Sequence, residues 1–173
     1  MECIPTQQRC IELLEEYNCS DDIIQHCLAV RDIAIRIAQH AHADMKLVEA
    51  GALLHDIGRS KANGITHAVE GVRIARQCGL PLDILYIIER HIGAGIPKEE
   101  ALQLGLPEKD YIPETLEEKI VAHADNLIDH VSRHKIIHEI NQAKQKGLLS
   151  YAQRLQKLHD ELSHICGMDV DDI

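Results

Sequence analysis

The sequence predicts an all-α protein, a bundle of about seven helices, and three observations predict it. Trp and Phe are absent and only four Tyr occur, so the clusters of Val, Thr and aromatics that mark strands are missing. Ile, Leu and Ala are abundant, and helix-forming residues dominate. Apolar residues recur at helical spacing in segments bounded by cap-type residues, Gly or Pro. The 173 residues suit one domain, 1–173, long enough to bury a sizeable core without staples.

Taken in order, Pro5 precedes a short first helix, "TQQRCIELLEEYN", which ends near Asn18. Ser20 is placed to cap a long amphipathic helix, "DDIIQHCLAVRDIAIRIAQHA", with two aspartates in its first turn. Asp44 opens "MKLVEAGALLHDI", which the sequence closes at Gly58. After the loop "RSKANGI", Thr66 is placed to cap "HAVEGVRIARQC", and Pro81 starts "LDILYIIERHI", ending at Gly93. Residues 93–113 are rich in Gly and Pro and read as a loop with one short helical turn, either a cover for a site or a plain connector. Thr115 and Glu118 form a capping box for "LEEKIVAHADNLIDHVSRH". Residues 136–166 read as one or two amphipathic helices broken near Gly147, packed on this chain or forming a dimer face, which leaves a homo-oligomer open.

A net charge of −10 argues against a broad basic surface for nucleic acid or membrane. A small anionic substrate would have to be held locally, by a metal or a few cations. The six Cys, at 3, 10, 19, 27, 78 and 166, contain no CxxC pair and read as small buried hydrophobes of a reducing compartment. The N-terminus lacks a signal-peptide pattern and no apolar run reaches membrane-spanning length, so the expectation is a cytoplasmic protein.

Twelve His are many for this length, and most must be bystanders. About one adjacent His-Asp pair is expected by chance from this composition, and two are present. His159-Asp160 lies among polar residues in "RLQKLHDELSHI" and reads as solvated surface. His55-Asp56 ends a largely apolar helix, where an unpaired charge would cost several kcal/mol. His26 shares the stripe of Val30, Ile33 and Ile37, and Asp125 shares that of Val121, Ala122 and Ile128, so both point inward. His26, His55, Asp56 and Asp125 thus come from three helices whose apolar faces must meet. Such N/O donors suit Mn, Fe, Co, Ni or Zn, with Mg also admissible. His123, two residues before Asp125, falls on a different helical face and is left out.

The order His26 … His55-Asp56 … Asp125, with "HDIG" at 55–58, resembles the HD-domain metal-dependent phosphohydrolases over roughly residues 20–130. "ITHAVEGVRIAR" and "IIERHIGAG" resemble the two later histidine segments of the dinuclear branch. The resemblance implies one or two divalent ions. His26, His55, Asp56 and Asp125 would hold the first, and His67 and His91 the second, with Asp56 bridging. It implies hydrolysis of a phosphoester or phosphoanhydride of a nucleotide or other small phosphorylated molecule by metal-activated water. Arg59, where that family often has Lys, and Lys61 are the candidate phosphate contacts beside the catalytic Asp56. The competing expectation is a non-catalytic module that binds metal or nucleotide for regulation.

Overall fold

The computed structural model describes residues 3–173. Nine α-helices occur among them: α1 (Gln7–Glu16), α2 (Asp21–Ala41), α3 (Met45–Leu54), α4 (His67–Gln77), α5 (Leu82–Arg90), α6 (Lys98–Gln103), α7 (Leu116–Asn126), α8 (Ile136–Gln145) and α9 (Leu149–Cys166). The all-α expectation holds, with a few more helices than foreseen. Three N-caps form as the sequence indicates, although the Glu118 carboxylate returns to the Glu114 amide and not to that of Thr115, so the capping box is only half made. Ser20 accepts from the amide of Ile23, Asp44 from those of Lys46 and Leu47, and Thr115 from that of Glu118. Thr66 makes no such cap, because a 3₁₀ turn, Gly64–Thr66, runs straight into α4.

The packing has two halves that share α3. Val30, Ala34 and Ile37 of α2 bury against Val48 and Ala52 of α3, Ile120 and Val121 of α7, and Leu155 and Leu162 of α9. On its other side, α3 sets Leu53 and Leu54 against Leu13 and Leu14 of α1, Ile74 of α4 and Ile84 and Ile88 of α5. Ile140 of α8 joins the first cluster, so the C-terminal helices cover this chain's own core. Glu118 ties α7 to α5. Its carboxylate accepts from the Arg90 guanidinium (3.0 Å) and from the Glu114 amide (2.8 Å), while Arg90 lies 4.4 Å over the Tyr86 ring.

Two expectations about helix ends are corrected. The third helix stops at Leu54, and residues Ile57–Ser60 form a 3₁₀ turn. Gly58 does not close the helix. It lies where the turn presses on α4, and a Cβ there would collide with the backbone of His67 and Gly71. The run after Thr115 is helical only to Asn126. It then becomes a short antiparallel hairpin, β1 (Ile128–Asp129) and β2 (Ser132–Arg133), pairing Ile128 with Arg133 and Asp129 with Ser132. His130 takes a left-handed backbone (φ 53°), a conformation that ends a helix. The apolar spacing carries through this stretch because Leu127 and Ile128 are buried in either conformation.

The segment 93–113 is a connector with its own small core of Ile96, Ala101, Leu106 and Tyr111. Ile96 bridges to Tyr111, and Lys109 pairs with Glu89 of α5. All six Cys are free; Cys10, Cys19 and Cys27 are buried and Cys3 is exposed. Among the described residues, no helix is long and apolar enough to cross a membrane.

Candidate metal centre

The six residues singled out as ligands converge. His26 comes from the second turn of α2, His55 and Asp56 from the residues just past α3, His67 from the start of α4, His91 from just past the end of α5, and Asp125 from α7. Each imidazole is fixed by a backbone carbonyl at Nδ1. The acceptors are His130 O for His26 (2.8 Å), Ala52 O for His55 (2.7 Å), Gly64 O for His67 (2.5 Å) and Ile88 O for His91 (2.8 Å). In the neutral ring a proton donated at Nδ1 leaves Nε2 as a bare lone pair. Four Nε2 atoms therefore face one another and two carboxylates. Backbone carbonyls holding the far nitrogen are the usual orienting partners of metal-binding histidines.

The Asp56 carboxylate lies between two donor sets. Its Oδ2 is 3.8 Å from His26 Nε2 and 3.7 Å from His55 Nε2, and Asp125 Oδ1 is 2.9 and 3.5 Å from the same two nitrogens. Its Oδ1 is 3.0 Å from His67 Nε2 and 3.5 Å from His91 Nε2, which are themselves 3.0 Å apart. His55 Nε2 and Asp56 Oδ1 are buried and make no hydrogen bond. Two sets, His26–His55–Asp125 and His55–Asp56–His91, are each compact enough to surround one ion. Orphaned buried donors of this chemistry fit divalent cations.

Electrostatics favours positive charge at this point. Burial would raise the pKa of Asp56, but His55, His67 and His91 overcome it and hold the carboxyl well below its usual range. Asp125 is likewise lowered, burial being outweighed by His55 and His26. Burial opposes charge on His55, yet the carboxylates of Asp56 and Asp125 raise its pKa well above the ordinary value. Burial keeps His91 lowered despite Asp56. Two ionised carboxylates in a largely buried cluster need cationic partners.

The cluster opens into a cavity of about 480 Å³. Arg59 lines it, with Nε donating to Asp56 Oδ2 (2.5 Å) and a side chain still 41% exposed. The 3₁₀ turn sets this i, i+3 contact. Lys61 lies past the turn, exposed and outside the lining, so the structure does not bring it to the site. The 93–113 segment contributes nothing to the lining.

Sequence reasoning passed over several residues here. Asp22, Asp129, His130 and Glu139 line the cavity. Asp22 stands one helical turn before His26, a spacing that shows the shared face; the others depend on the hairpin. His159 is buried and not solvated as expected, and it meets the equally buried His123 across 3.3 Å and Asp169 across 3.2 Å. Its polar neighbours misled because the C-terminal turn folds back over that face of α9.

The family model of the HD domain matches residues 23–128. The chain belongs to the HD-domain family. A tRNA (cytidine(56)-2'-O)-methyltransferase of Thermoplasma volcanium is 49% identical over 170 residues, which is 98% of this chain and 50% of that protein. An uncharacterised protein of Methanocaldococcus jannaschii is 47% identical over 152 residues, 85% of each chain. This HD chain spans about half the length of the methyltransferase relatives it matches. The HD domain of the phosphodiesterase PgpH from L. monocytogenes, solved with cyclic-di-AMP, superposes with a TM-score of 0.58 at 19% identity, covering 87% of this chain and 93% of that one. At that identity the likeness is one of fold.

Proposed function

We propose that the protein is a metal-dependent phosphohydrolase acting on a phosphoester or phosphoanhydride of a nucleotide or other small phosphorylated molecule. The observation that carries this reading is the convergence of four imidazole Nε2 atoms and two carboxylates on one open cavity, with Asp56 between the two donor sets. His26, His55 and Asp125 would hold one ion and His67 and His91 the other, with Asp56 shared. Bound divalent ions supply an activated water at neutral pH and neutralise charge on the phosphoryl group.

The chain's own residues do the rest. The four backbone carbonyls keep the imidazoles aimed inward, and neutral imidazoles leave the ions' charge uncancelled. Arg59, anchored at Nε, has its terminal nitrogens available for two phosphate oxygens side by side. The cavity suits a small molecule or a strand end.

The methyltransferase name belongs to relatives twice as long, so the half matched here need not carry methyl transfer. That name favours a second reading of the substrate, a phosphate at the end of an RNA. The test is turnover with Mn²⁺ on a panel of mononucleotides, dinucleotides, an aryl phosphate and RNA oligonucleotides with terminal or cyclic phosphates. The wild type should release phosphate or nucleoside from at least one and Asp56→Ala from none. A wild type that binds metal and hydrolyses nothing would favour the regulatory module instead.

A further inference from the structure

We propose that His134, His138 and Glu139 form an additional divalent-cation site at the edge of the same cavity, which Glu139 alone of the three lines, outside the six-residue cluster. One donor atom from each lies within 4.8 Å of the donor atoms of the other two. The elements that place them are rigid. The amide of His134 bonds Leu127 O (2.9 Å) as the chain leaves the hairpin, and its imidazole Nε2 is held by Asn126 O (3.0 Å) at the end of α7. His138 follows one turn later in α8, its ring 4.8 Å from that of His134, and the Gln142 amide (2.7 Å), turned so that its oxygen accepts from Nε2, leaves Nδ1 as the lone pair. With Nε2 donating to Asn126 O, Nδ1 of His134 carries the lone pair, and Glu139 lines the cavity together with His26, Asp56 and Asp125.

Charge supplies the independent reason for a cation here. Asp22, Asp56, Asp125, Asp129 and Glu139 line the cavity against a single guanidinium, Arg59. Ions on the inner cluster offset Asp56 and Asp125, but the rim carboxylates still repel any anion approaching from solvent. A cation beside Glu139 offsets that rim. Two imidazoles and one carboxylate select a borderline transition ion such as Zn²⁺ over Mg²⁺ or Ca²⁺, and leave a coordination position open.

The site is tested by counting metal. Full-length protein is dialysed against micromolar Zn²⁺ and its content measured by mass spectrometry, for wild type, for Asp56→Ala and for the double variant His134→Gln/His138→Gln. The double variant should hold one Zn²⁺ fewer than wild type, and Asp56→Ala should retain the equivalent that the double variant lacks. Dialysis against Mg²⁺ should show no difference between wild type and the double variant. Equal Zn²⁺ content in wild type and the double variant overturns the proposal, as does loss of all Zn²⁺ in Asp56→Ala if its circular dichroism is unchanged. Because the readout is stoichiometry, failure of the hydrolase reading on the substrate panel leaves this result standing, and the reverse is also true.

Discussion

Replacing Gly58 with alanine tests how the second half of the candidate centre is built. The 3₁₀ turn Ile57–Ser60 and α4 approach each other backbone to backbone at Gly58 and Gly71. A methyl group on Gly58 would lie 2.9 Å from Gly71 Cα and closer still to His67 O and Gly71 N, whereas ordinary contact begins near 3.4 Å. No side-chain rotation relieves this, since every atom met is backbone. The turn and α4 must separate, which places the cost at or above the upper end of overpacking, roughly 3 kcal/mol or more. For a chain of this length that corresponds to a fall in Tm of roughly 6–12 °C. The shift also carries His67 away from Asp56 and His91, so the variant should lose metal from that set first. Gly71→Ala is the comparison, because its Cβ meets Ile88 Cγ2 at 2.6 Å, a side-chain methyl and not backbone, and its cost should stay within ordinary overpacking, about 1–3 kcal/mol. The assay is thermal unfolding by circular dichroism in chelator, paired with metal content after reloading. A Gly58→Ala protein with wild-type Tm and full metal content would refute the reasoning, as would a Gly71→Ala protein that proves the more damaged.

Three further outcomes are expected. Chelation should lower Tm, since ions that bind the folded chain at 100 times their Kd contribute about 2.7 kcal/mol, or roughly 5–10 °C here; an unchanged melting curve would remove the case for a metal centre. Burial, with the nearby His159, lowers the His123 pKa to about 3. The unfolded chain therefore binds the extra proton between about 6.5 and 3, so this contribution is intact above pH 6.5 and lost as the pH falls, by about 1.4 kcal/mol per unit. Urea titrations at pH 7 and 5.5 should accordingly show a larger loss for wild type than for His123→Gln. Arg59→Gln should raise KM for a hydrolysed substrate by about tenfold or more with little change in Tm, while Lys61→Gln, outside the cavity lining, should leave KM within about twofold; equal effects of the two would undo the assignment of Arg59.

The helix pattern was legible because local chemistry writes it. Ser20, Asp44 and Thr115 cap where the sequence places them, since a side chain three residues from an amide needs no distant partner. The inward aim of His26 follows from period alone, because it shares a stripe with Val30, Ile33 and Ile37. His159 shows the limit: its neighbours in sequence are polar, and what buries it is a 3₁₀ turn, Val170–Asp172, packed near α9 after the chain has reversed. The hairpin at 128–133 was hidden for a related reason. Buried Leu127 and Ile128 serve either conformation, so hydrophobic spacing does not distinguish them.

Alone, the sequence determined that this chain is helical, that it resembles HD-type proteins, and that His26, His55, Asp56 and Asp125 have donor chemistry at inward-facing positions, with His67 and His91 added by the resemblance. Tertiary structure decided that Asp56 stands between two imidazole pairs, that Gly58 is required by close backbone approach and not by a helix end, and that Arg59 but not Lys61 reaches the cavity. The division has a physical cause. Periodicity and capping act over a few residues, whereas the distance between two Nε2 atoms on different helices depends on how five helices pack together.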